Sequence, residues 1–88
     1  LKMKLTEEQL KEIAKAGGIK EVDLLVSKKS DNQFELGFYN DKKEWDSILS
    51  LEFIVGACAD RVEFKTSFDD FDEDMALKRM VNLGLIDL

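Results

Sequence analysis

Trp45-Asp46-Ser47-Ile48-Leu49-Ser50-Leu51-Glu52-Phe53-Ile54-Val55 decides the architecture, because it fits two periods. At 3.6 residues per turn, Trp45, Ile48, Leu49, Leu51, Val55 and Cys58 share a broad apolar face. Asp41-Lys42-Lys43-Glu44 ahead of them has capping-box spacing. At period two, Leu49-Ser50-Leu51-Glu52-Phe53 alternates like a strand, and Phe53-Ile54-Val55 is a poor helix sequence. Ala57-Cys58-Ala59 is weak turn chemistry but suits a closely packed helix end. The expectation adopted is a helix across residues 41–60, with a further strand over residues 47–55 as the alternative.

Upstream, two apolar rows flank a polar turn. Val22, Leu24 and Val26 alternate before Lys29-Ser30-Asp31-Asn32, and Phe34, Leu36 and Phe38 alternate after it. Period-two rows on both sides of a short Asp-Asn turn signal an antiparallel hairpin. The opposite rows are more polar (Glu21, Asp23 and Ser27; Gln33 and Glu35), as in a sheet covered on one side. Before the hairpin, Thr6-Glu7-Glu8-Gln9 is a capping box, with Leu5 and Leu10 as its hydrophobic staple. Gly17-Gly18 provides the left-handed stop. The spacing predicts a helix over 7–16 with Leu10, Ile13 and Ala14 facing inward. Downstream, Val62 and Phe64 mark a strand over 61–66. A final helix is expected to begin within residues 69–74 and stop at Gly84, Leu85 folding back on Met80.

The resulting expectation is a single α+β domain over residues 1–88, in the order α-β-β-α-β-α. The hairpin lies at its centre and the helices pack on one sheet face. Eighty-eight residues suffice for one core and not two. Leu1-Lys2 reads as a cloning remnant ahead of an initiating Met3. No apolar run approaches the roughly 20 residues of a membrane span. One cysteine forms no internal disulfide, and Cys58 in its apolar setting reads as a buried thiol, so the expected compartment is the cytoplasm.

The formal net charge is -6, unevenly spread. Bases outnumber acids up to residue 29. Acids outnumber bases two to one from 30 to 67 and three to one beyond. Such a surface repels nucleic-acid phosphates and anionic membranes, and favours encounter with a basic protein. With no histidine, the chain lacks the usual general base, the Ser-His and Cys-His pairs and the commonest zinc ligand. No catalytic residue and no cofactor site is therefore expected. A small enzyme or ligand binder using a carboxylate cluster is the competing class, with Tyr39 and Trp45 as stacking candidates beside the second loop.

Ser67-Phe68-Asp69-Asp70-Phe71-Asp72-Glu73-Asp74 is the most unusual stretch. Acids in a first helical turn complement the helix dipole, which accounts for part of it. Asp70, Asp72 and Asp74 alternate as a calcium loop begins, but Met75 and Val81 stand where that loop requires glycine and glutamate. No metal is expected. With a helix start near Asp70, Leu77, Met80 and Val81 share one face, and Phe71 and Met75 point nearly opposite. That geometry makes Phe68, Asp69, Asp70, Phe71, Asp72, Glu73 and Met75 a candidate partner-binding patch for a basic protein or a second copy of the chain. If Phe68 and Phe71 instead precede the helix, they fold back into the domain's own core.

Ala76-Leu77-Lys78-Arg79-Met80-Val81-Asn82-Leu83-Gly84-Leu85-Ile86 resembles the end of the recognition helix in winged helix-turn-helix repressors. Such families read bases from the helix N-terminus, which here is acidic, so DNA binding is not expected. The sequence reading is a non-enzymatic interaction or regulatory module working through its acidic, aromatic C-terminal helix, as a monomer or a homodimer. An inhibitor or immunity-type protein masking a basic nucleic-acid-binding site is its sharper form.

Overall fold

The computed structural model describes residues 5–20, 23–56 and 60–86. Its order is α1 (Glu7–Ala16), β1 (Leu25–Lys28), β2 (Gln33–Tyr39), β3 (Trp45–Val55), β4 (Asp60–Thr66) and α2 (Glu73–Asn82). The strands form one antiparallel meander, β1-β2-β3-β4, and both helices cover the same face of it.

Residues 41–60 correct the expected helix. Trp45–Val55 is a strand, as the alternative had it, and the predicted cap at Asp41–Glu44 is a hairpin loop. Asn40 Oδ1 accepts from the Lys42 and Glu44 amides at 2.9 and 3.0 Å, and Lys43 takes a φ of 62°. The reason is tertiary: β2 and β4 both pair with β3, and period two puts Leu49, Leu51 and Phe53 in the core together. A helix there would leave β4 without a partner strand and β2 paired on its β1 side alone. The Ala57-Cys58-Ala59 expectations, including the buried thiol, lie outside the described residues.

α1 forms as its sequence requires. The Thr6 hydroxyl accepts from Gln9 N and Gln9 Oε1 from Thr6 N, both at 3.1 Å. Leu10, Ile13 and Ala14 are buried, and Gly18 at φ 109° ends the helix. β1 begins later than the apolar row suggested: Leu24 is buried just before it, and Val22 lies outside the described residues. The core joins these helical residues to Leu24, Phe34, Leu36, Leu49, Leu51, Phe53, Ala76 and Met80.

Phe38, expected on the inner row, is 39 % exposed. Two features explain it. β2 pairs continuously from Gln33↔Glu52 to Leu36↔Leu49, then resumes at Gly37↔Ser47, so Ile48 is an extra residue in a bulge. A Cβ on Gly37 would overlap the Asp46 carbonyl, so glycine permits this close approach. The second feature is length. Eleven residues of β3 span roughly 35 Å, while a ten-residue helix covers roughly 15 Å, so the tip of the β2–β3 hairpin runs past its cover.

α2 starts at Glu73, not near Asp70. Asp72 is its N-cap, accepting from Met75 N at 3.1 Å. The inward stripe is therefore Ala76 and Met80, with Leu77 and Leu83 half-buried and Val81 exposed. Val81, expected inward beside Leu77 and Met80, lies on the outer side of the helix. The stop is the expected one, with Leu85 N donating to Met80 O at 3.0 Å and Gly84 at φ 73°.

Candidate functional site

The seven candidate partner-binding residues lie in one linking segment, 68–75: Phe68, Asp69, Asp70, Phe71 and Asp72 between β4 and α2, Glu73 and Met75 in the first turn of α2. That link is fixed at several points. The Thr66 hydroxyl donates to Ile48 O at 2.7 Å and accepts from Phe68 N at 3.0 Å. Phe71 N donates to Phe68 O at 3.2 Å, closing a turn with Asp69 and Asp70 exposed at its tip. Asp72 N then donates to Gly17 O at 2.9 Å, tying the link to the end of α1.

Phe71 is the anchor. Because it precedes α2 it is not on an outward helical stripe, which corrects the two-faced geometry drawn from an earlier start. Its ring is half-buried and packs on Phe64 with centroids 5.4 Å apart. It also lies over Gly17, where any Cβ would overlap three of its ring carbons. Phe68 sits near Gly18: a Cβ there would come 3.6 Å from Phe68 Cε2. Gly17 thus has a second part beyond ending α1, because its lack of a side chain lets the Phe71 ring settle on it; a Cβ on Gly18 would make only ordinary contact with Phe68. Nothing in local sequence joins Gly17 to Phe71, so this pairing was not legible before the fold was known.

Phe68 and Met75 remain 39 % and 47 % exposed. Phe68, Asp69, Asp70, Phe71, Asp72 and Glu73 line one shallow, open hollow with Thr66 and Asp74. Met75 is not part of that lining. The carboxylates all face water: Asp69 and Asp70 at the turn, Asp72 capping α2, Glu73 and Asp74 in its first turn. Among the described residues no three acids, cysteines or histidines converge as metal ligands. The link carries five acids, no base and two accessible apolar side chains on a tethered backbone.

The other aromatic feature lies on the uncovered sheet face. Trp45 Nε1 donates to Glu35 Oε1 at 2.7 Å, Tyr39 meets the indole edge-on at 5.4 Å, and Lys29 Nζ lies 5.8 Å from its centroid. These contacts occupy the indole N–H and place a cation over its ring, so the group is satisfied within the chain. No family model, curated protein or solved structure matches this chain.

Proposed function

We propose that the chain is a non-enzymatic protein-interaction module that docks through the link spanning residues 68–75. The observation carrying this reading is the exposure of Phe68 and Met75 within an acidic segment held in place by Phe71. A segment fixed by its own packing loses little conformational freedom on binding. Covering what remains exposed of these two side chains would contribute about 2 kcal/mol. Asp69, Asp70, Asp72, Glu73 and Asp74 would add attraction to a basic rim and speed encounter. The matching partner is a protein with a small apolar recess bordered by Lys and Arg. In the sharper form, that basic border is a nucleic-acid-binding surface and docking masks it.

The test is capture of partners from the native host by the unaltered chain and by a Phe68→Ser/Met75→Ser variant. Both side chains are partly covered, so the variant should keep the wild-type circular dichroism and melt somewhat lower, and capture is compared well below its melting temperature. The reading expects a partner retained by the unaltered chain, lost by the variant and weakened by added salt. Competition by heparin or DNA would support the masking form. Equal recovery by both chains would refute the docking segment.

A further inference from the structure

Among the described residues the meander leaves two strand edges open, and they are unequal. β1 offers four residues, ending at Lys28. β4 offers seven without a bulge, among them the half-buried Val62 and Phe64. Ser67 N donates to Ile48 O at 3.3 Å. In an antiparallel strand the N–H and C=O of alternate residues point the same way. Arg61, Glu63 and Lys65 therefore turn their backbone groups toward β3, while Val62, Phe64 and Thr66 turn theirs to the open edge.

Outer-face side chains then discriminate among ways of pairing this edge with a second copy of itself. Arg61, Glu63 and Lys65 are all exposed on that face. With Glu63 on the two-fold axis, Glu63 faces Glu63 and Arg61 faces Lys65, so every charged position meets its like. With Val62 on the axis, Arg61 meets Glu63, but Phe64 is set against Asp60, where β4 begins, so the pairing outruns the strand. With Phe64 on the axis, Glu63 faces Lys65 twice, Phe64 faces Phe64 and Val62 faces Thr66. Opposite charges and aromatic pairs directly across an antiparallel ladder are stabilising, and like charges are not.

We propose that the protein forms a two-fold homodimer by antiparallel addition of β4 to β4, with Phe64 on the axis. The outward groups of Val62, Phe64 and Thr66 then form about six backbone hydrogen bonds, and the two meanders join into one continuous sheet. Both pairs of helices lie on the same side of it. Each protomer contributes one 68–75 link, so a partner with two recesses would meet a bivalent surface. The dimer is independent of the docking reading, since its contacts are made by β4.

Sedimentation equilibrium over a dilution series tests it, with three variants. Glu63→Lys and Lys65→Glu each replace two attractions by two repulsions. Each should raise the dimer dissociation constant about tenfold or more. The double variant Glu63→Lys/Lys65→Glu restores the attractions and should return the constant close to wild type. Among the described residues Glu63 forms an ion pair only with Arg61, at 3.4 Å and exposed, so the monomer fold should survive, as a melting curve would verify. Amide exchange gives the register: protection at Val62, Phe64 and Thr66 should rise with concentration. A strict monomer at the highest soluble concentration would overturn the proposal. So would a dimer indifferent to the single variants, one not restored by the double variant, or one protecting β1 instead.

Discussion

Gly17→Ala should destabilise the protein, although simple reasoning gives it the opposite sign. Gly17 sits at φ -79° and ψ -4°, a conformation alanine adopts freely. Stiffening the unfolded chain would then favour the folded state by about 0.4–1 kcal/mol. Against this, the new Cβ would overlap the Phe71 ring. The ring would have to leave Phe64, and the Asp72-to-Gly17 hydrogen bond and the start of α2 would shift with it. Overfilling a packed contact costs about 1–3 kcal/mol, so the net expectation is a loss of about 1–2 kcal/mol. For a domain of this size that lowers the melting temperature by roughly 4–8 °C per kcal/mol. Urea unfolding followed by circular dichroism, repeated in a Phe71→Ala background, separates the two terms. With the ring gone, Gly17→Ala should become neutral or stabilising, and the difference between backgrounds measures the coupling. Stabilisation in the Phe71 background, or equal effects in both, would refute the contact.

Two further expectations concern stability. Lys43→Gly should raise it by about 0.5–1 kcal/mol, because Lys43 holds a left-handed backbone in the β2–β3 loop; a lower urea midpoint would contradict that loop geometry. Leu51→Ala should cost about 2–5 kcal/mol, since Leu51 is fully buried between the sheet and the helices, and a loss below 1 kcal/mol would mean it is not core.

Local signals were decisive where chemistry is local. The Thr6–Gln9 capping box, the Gly18 stop and the Leu85 return are each settled within a few residues, and each forms as read. The β1–β2 hairpin belongs with them, its polar turn lying between alternating rows. Residues 45–55 fit both periods, and neither pattern shows that β2 and β4 flank them. Pairing partners distant in the chain decided that segment. The start of α2 was ambiguous for another reason: any of several acids can cap a helix, and the choice of Asp72 follows Phe71 settling on Gly17. The candidate partner-binding residues were therefore drawn as one group, in which the anchored Phe71 and the exposed Phe68 and Met75 could not be told apart.

The two helices come from opposite ends of the chain, yet Arg79 Nη1 meets Glu12 Oε1 at 2.6 Å and Gly17 holds Asp72. Every strand pairing joins sequence neighbours, so the meander can zip up hairpin by hairpin. The helical seam instead closes a ring of most of the polypeptide. Removing either helix would uncover the greasy side of the sheet and loosen the other helix with it, so the two helices act as a clasp on the sheet between them.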